Sequence, residues 1–116
     1  MKNNIILTSL LISAIFIGGC SKNISDKMEF STTSSAAAEL INKGLRYQDN
    51  FAFEQARQAF RQAIDRDPQF AFAYYCLAWI TPNKINRDAL VKEGEKYLES
   101  ANNGEKTMLD LMAESL

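Results

Sequence analysis

The chain has 116 residues, of which 47% are hydrophobic and 23% are charged, and its formal net charge is −1. This composition is that of an ordinary globular chain with one small domain, and the lack of a basic excess disfavours nucleic acid as a partner. The sequence contains no histidine, which excludes a His-based catalytic triad, a His-ligated metal site and a histidine pH switch.

Residues 1–19 have the pattern of an export signal. Lys2 supplies a positive charge, residues 5–17 form an apolar stretch, and the small residues Gly18 and Gly19 follow. This stretch is shorter than the roughly 20 apolar residues that a membrane-spanning helix needs. A permanent transmembrane anchor is therefore the weaker alternative to a cleaved signal peptide.

The segment Ile17-Gly18-Gly19-Cys20 resembles the lipobox of bacterial lipoproteins, with Ile17 where leucine is more usual. The resemblance implies that Cys20 becomes the mature N-terminus and carries a diacylglycerol, and that a further acyl chain makes the membrane anchor stable. Ser21 follows the cysteine instead of aspartate, which implies the outer membrane, with the domain facing the periplasm. The alternative is a chance cysteine after an ordinary secretory signal.

Residues 20–35 are mostly polar and show no sustained hydrophobic period. We expect them to form the lipidated N-terminus and a flexible tether. Phe30 is too isolated to define a buried face, so no role is assigned to it. The folded domain is then expected over residues 36–116.

From Ala37 onward, apolar residues at helical spacing predict two amphipathic helices. The first carries Ala37, Leu40, Ile41, Gly44 and Leu45, and the second carries Phe53, Ala56, Phe60, Ala63 and Ile64. A polar break at residues 48–50 separates them, and Pro68 prevents the second helix from continuing. The unit is a helix hairpin of about 30 residues.

This hairpin resembles a tetratricopeptide repeat, whose small, aromatic and aliphatic residues recur within a period of about 34 residues. The residues that match the repeat pattern are Leu40, Gly44, Tyr47, Ala56, Phe60, Ala63 and Pro68. One period later, Ala71, Tyr74, Leu77 and Ala78 begin a second repeat. Lys43 departs from the pattern, since an aliphatic residue is usual there.

The second half of this second repeat is predicted as a helix from about Arg87 to Ala101, with Gly94 and Leu98 at matching positions after an insertion of about four residues. A last helix over 105–116 is expected to cover the outer face from Leu90 to Leu98, as a cap or an unfinished third unit. The resemblance implies an all-α fold of antiparallel helix hairpins, a TPR-like α-solenoid of about two to two and a half repeats.

In this family the first helix of each repeat lines a concave groove that binds peptides. The resemblance implies that the partner-binding positions here are Ile41, Leu45, Phe72, Tyr75 and Trp79. Aromatic side chains of this kind are favoured anchors in protein interfaces. The alternative is that Phe72, Tyr75 and Trp79 pack against the last helix or another subunit. Cys76 has no second thiol to pair with once Cys20 carries lipid, and it is expected to be a buried filler.

The sequence thus predicts a membrane-anchored lipoprotein whose repeats bind a protein or peptide partner in the cell envelope. Two alternatives stay open: a self-assembling structural component that forms homo-oligomers, or the N-terminal portion of a longer repeat protein. No enzymatic activity, metal or cofactor is expected, because the Asp, Glu and Lys residues show no spacing that assigns an acid, a base or a nucleophile.

Overall fold

The computed structural model describes residues 29–116. This part of the chain is built from helices and contains no strand, which confirms the all-α prediction. The elements are α1 (Ser35–Asp49), α2 (Phe53–Arg66), α3 (Ala71–Trp79), α4 (Lys84–Glu95), a 3-10 turn (Leu98–Ser100) and α5 (Asn103–Ser115). Every helix within residues 29–116 is too short or too polar to span a bilayer. The signal peptide and Cys20 lie outside the described residues.

The first two helices form a closely packed pair. The Ser34 hydroxyl caps α1 by accepting a hydrogen bond from the Ala37 N–H at 3.1 Å. Residues 50–52 then turn the chain back, and helices joined by so short a connection pack side by side as an antiparallel pair. Asp67 has an extended backbone, as the residue before a proline must, so α2 ends there.

α3 is buried on nearly all sides. The eight residues from Ala71 to Ala78 are all buried, and only Trp79 at the end of the helix is exposed. A helix that is apolar all round must be enclosed by other elements. α2, α4 and α5 all pack against it, so α3 is the centre of the core.

α4 differs from its prediction at both ends. It begins at Lys84 because the Asn83 side chain caps it, accepting a hydrogen bond from the Asn86 N–H at 3.0 Å. It ends at Glu95, where the chain turns and the Tyr97 ring stacks on Tyr74 with 6.1 Å between ring centroids. The expectation of one helix reaching Ala101 is therefore wrong.

Gly94 lies where α4 approaches α3. A Cβ atom there would be 3.0 Å from the Tyr74 Cβ and 3.0 Å from the Tyr75 ring. Glycine is a poor helix former, but at this position it permits the close contact between the two helices. A second such contact joins α1 and α2, where Gly44 lies against Phe60.

α5 packs mainly on α3, and the expectation that it covers the face from Leu90 to Leu98 is wrong. Asn102 and Glu105 form a capping box that starts α5 directly after the 3-10 turn. From there the helix lies along the apolar surface of α3, which would otherwise face water. Leu109 is buried in this contact, whereas Leu111 on the same helix is 60% exposed.

The N-terminal arm, residues 29–34, packs on the helical domain. The Phe30 ring lies 5.8 Å from that of Phe70 and 5.4 Å from that of Phe72, measured between centroids. The Ser31 N–H donates a hydrogen bond to the buried Glu105 carboxylate at 2.9 Å. Phe30, to which the sequence pattern assigned no role, is therefore part of the packing against the core.

Candidate functional site

The five positions predicted to line a groove lie on α1 and α3 and differ in exposure. Ile41, Phe72 and Tyr75 are 0%, 1% and 3% exposed, so they contribute to the core rather than to the surface. Leu45 is half-buried, and Trp79 is 41% exposed. Of the five, only Leu45 and Trp79 keep exposed surface, whereas Phe72 and Tyr75 are packed inside, as the alternative hypothesis predicts for them.

A small cavity opens where α1, α3 and α5 meet, and we call it the α1–α3–α5 cavity. Its volume is about 220 Å³, and it is lined by Leu45, Gln48, Phe72, Cys76, Trp79, Met108 and Met112. This volume is below the roughly 300–1,000 Å³ of small-molecule pockets, so it suits one apolar side chain of a partner. The two methionines are unbranched and flexible, which allows the walls to adapt to different side chains.

Cys76 forms part of the wall of this cavity but offers no reactive thiol. The residue is 1% exposed, and burial, reinforced by the nearby Glu105 charge, raises the pKa of its thiol. The nucleophilic form of cysteine is the thiolate, which is disfavoured here. The prediction that Cys76 is a buried filler is confirmed.

Three pairs of oppositely charged side chains lie on the surface of the described domain. Arg57 donates to Glu54 at 2.6 Å, and this hydrogen bond, together with the guanidinium charge, lowers the pKa of the Glu54 carboxyl. Lys96 donates to Glu93 at 2.6 Å in the same way. Exposed pairs of this kind contribute little to stability or chemistry. Among residues 29–116, no three His, Cys, Asp or Glu side chains are grouped as they would be around a metal ion.

A second cavity lies at the end of the domain where the α1–α2 and α3–α4 connections meet. Its volume is about 450 Å³, and its lining residues are Phe53, Arg57, Trp79, Ile80, Thr81, Pro82 and Arg87. Nη1 of Arg57 donates to the Ile80 carbonyl oxygen at 2.8 Å and so links α2 to the α3–α4 connection. No local pattern in the sequence indicates this contact, because the acceptor is 23 residues away along the chain.

Three other features escaped the sequence analysis. Phe51 follows the polar break after α1 and is 80% exposed, and an aromatic residue in a polar turn was the available signal. The sequence around Arg87 contains no pattern that would indicate its place in this cavity. Glu105 was recognisable, because Asn102 and Glu105 have the spacing of a capping box, although that spacing does not indicate its hydrogen bond to Ser31.

Comparisons of the chain with protein-family models, curated protein sequences and solved structures gave no significant match. The interpretation of the site therefore depends on its residues and geometry.

Proposed function

We propose that this protein is a lipoprotein of the cell envelope whose helical domain binds a protein or peptide partner through the α1–α3–α5 cavity. The observation that carries the proposal is the position of Leu45 and Trp79. These are the two predicted groove residues that remain accessible, and both line this one apolar cavity. An apolar side chain of a partner would be buried there against Met108 and Met112.

The helix packing supports a TPR-like architecture for the domain. α1 packs with α2 and α3 packs with α4, and α2 joins the two pairs through its contact with α3. This order of helix contacts is expected when two helix hairpins stack one after the other along the chain.

The membrane anchor is proposed from the sequence alone. Ile17-Gly18-Gly19-Cys20 stands directly after an apolar stretch, and the described domain begins only a few residues later. Cys20 is the proposed site of lipid attachment. The proposed location is the outer membrane, with the helical domain facing the periplasm. The proposal assigns no catalytic step to the domain.

A second candidate is self-assembly, or stacking against a further repeat, through the outer side of α5. Met108 and Leu111 on this helix are 40% and 60% exposed. A neighbouring repeat or a second copy would pack on exposed apolar side chains such as these.

Site-specific photo-crosslinking in the native envelope tests the proposal. A photoreactive amino acid is placed at Leu45 in the full-length chain, and at the exposed Lys92 on α4 as the control. We expect a discrete crosslinked species from residue 45 and none from residue 92. A crosslinked species that contains two copies of this chain alone would favour self-assembly, and equal patterns from both residues would refute the proposed site.

A further inference from the structure

The connections at one end of the domain present an exposed aromatic and arginine cluster, which we call the loop-end surface: Phe51, Phe53, Arg57, Trp79 and Arg87. Phe51 is 80% exposed, and Phe53 and Trp79 are each 41% exposed. The Phe51 and Phe53 rings meet edge to face at 6.2 Å between centroids. Phe53, Trp79 and both arginines line the 450 Å³ cavity. Clustered exposed apolar side chains mark interaction sites more often than isolated ones do.

The backbone of Phe51 is strained. Its φ is 58°, and it is the one non-glycine residue with positive φ among residues 29–116. This region is where a helix commonly ends on glycine, because a bulky side chain is unfavourable there. The fold would be satisfied by glycine or asparagine at residue 51. Phe51 holds its backbone in an unfavourable region while its ring is mostly in water, which points to a role outside the domain.

The two arginines of this surface differ in their hydrogen bonding. Arg57 is held by Ile80 and Glu54, so its donors and its charge are largely satisfied. Nε of Arg87 is buried and donates to no acceptor among residues 29–116. Arg87 also forms no ion pair among the described residues, and a carboxylate is the acceptor that a guanidinium binds most strongly.

We propose that the loop-end surface binds a segment of a partner protein that presents an acidic side chain beside an aromatic or aliphatic one. The carboxylate accepts from Arg87, and the apolar side chain lies in the cavity between Phe53 and Trp79. Trp and Arg dominate the energetic centres of protein interfaces. This inference rests on the proposed function as a binding protein, and it adds a second surface and the chemistry of its ligand.

A membrane surface fits this site less well than a peptide does. Attraction to anionic lipid needs several unpaired basic residues close together. Here Arg57 is paired with Glu54, and Lys84 in the adjacent first turn of α4 is paired with Asp88. Of these three basic residues, Arg87 is the one without an acidic partner among the described residues, and the cavity beside it is lined largely by apolar side chains.

An array of short peptides tests the proposal. Each peptide carries a central pair in which Asp, Glu, Asn or Gln stands beside Phe, Leu or Ser, and the array is probed with the full-length chain in mild detergent. We expect the wild type to prefer an acidic residue beside Phe or Leu. Arg87→Gln should bind these acidic peptides about tenfold more weakly and the amide peptides unchanged. Lys92→Gln is the matched control and should behave as the wild type.

Trp79 is the single tryptophan of the chain, and it lines both this cavity and the α1–α3–α5 cavity. Its fluorescence therefore reports on the loop-end surface only when the wild type is compared with Arg87→Gln, because Arg87 lines the 450 Å³ cavity and not the α1–α3–α5 cavity. The best acidic peptide should shift the Trp79 emission to shorter wavelength in the wild type, with a weaker response in Arg87→Gln. Equal binding of acidic and amide peptides, or an Arg87→Gln variant that matches the wild type while melting at the same temperature, overturns the inference. Crosslinking from residue 45 would then still support the proposed function.

The alternative that this surface binds a membrane is tested by reconstituting the full-length protein into vesicles of phosphatidylethanolamine and phosphatidylglycerol. The acyl chains are brominated, so they quench the fluorescence of Trp79 if it enters the bilayer. Strong quenching of Trp79 that disappears in Phe51→Ser would place the loop-end surface in the bilayer and overturn the peptide inference. Weak quenching that is the same in both proteins supports it. If no peptide binds and residue 45 crosslinks to nothing, the proposed function itself fails.

Discussion

A Cβ atom at Gly44 would lie 2.3 Å from Cε1 of Phe60. Phe60 is fully buried between α1 and α2, so its ring has no free space into which it can move. The distance between these two helices is therefore set by the absence of a side chain at residue 44.

Gly44→Ala should lower the free energy of unfolding by up to about 2 kcal/mol, because forcing the helices apart costs about 1–3 kcal/mol and the gain in helix propensity offsets about 1 kcal/mol of it. Urea denaturation followed by circular dichroism measures this. Gly104→Ala is the control, since its Cβ would meet only Asn102 Oδ1 at an ordinary 3.4 Å. Equal losses in the two variants would contradict the packing of α1 on α2.

Leu109→Ala should destabilise the domain by about 2–5 kcal/mol, because it leaves a cavity in the contact between α5 and α3. Leu111→Ala changes a side chain that is 60% exposed, and its effect should stay within about 0.5 kcal/mol. Thermal melts of the two variants beside the wild type give the comparison. A melt of Leu109→Ala that coincides with that of Leu111→Ala would mean that α5 does not cover the core.

Alkaline pH should destabilise the domain. Burial raises the pKa of the Tyr75 phenol and the Cys76 thiol above their ordinary values of 10.0 and 9.0. As the pH rises past these ordinary values, the unfolded chain releases protons that the folded domain retains. The free energy of unfolding should therefore fall from about pH 9 upward.

Urea denaturation between pH 7 and pH 10.5, roughly the range over which these groups ionise when unfolded, measures this slope. Cys76→Ala removes the thiol, so the decline should then begin about one pH unit later, where tyrosine ionises. A free energy of unfolding that is constant over this range would show that the two groups are not buried.

Cys20→Ser should leave an unlipidated precursor that retains residues 1–19, because the lipobox resemblance implies that the thiol accepts the lipid before cleavage. Growth with a labelled fatty acid, followed by gel electrophoresis, detects the label and the larger size. Cys76→Ala should keep the label, since that thiol is buried. Undiminished label in Cys20→Ser would remove the lipoprotein assignment.

Phe51→Asn should separate stability from binding. Asparagine tolerates positive φ far better than phenylalanine, so the melting temperature should be unchanged or higher. Binding of the acidic peptides should weaken, because the exposed ring is lost. A variant that melts lower and binds normally would show that Phe51 serves the fold and not a partner.

The first three helices could be predicted closely because their signals are local. Pro68 stops α2, polar residues 48–50 end α1, and the apolar run from Phe70 to Ile80 marks a buried helix. The side of α3 that remains accessible could not be predicted, because a helix that is apolar all round has no distinct exposed face. Its exposure depends on the elements that pack against it.

Contacts between distant parts of the chain were not predictable for the same reason. Ser31 and Glu105 are 74 residues apart, and no periodicity connects them. Phe30 stands alone in a polar stretch, so its packing on Phe70 and Phe72 depends on where the folded domain places those rings. The position of α5 on α3 likewise depends on the 3-10 turn that precedes α5.

The docked N-terminal arm limits how far the domain can stand from a membrane. Phe30 and Ser31 are held against the core, so Glu29 stays next to the domain, and it is nine residue steps after Cys20. A chain of this length spans roughly 30 Å when fully extended. If Cys20 carries lipid, Glu29 lies within that distance of the bilayer. A partner would then meet this domain in a thin layer next to the membrane, which favours partners that are themselves embedded in the membrane or bound to its surface.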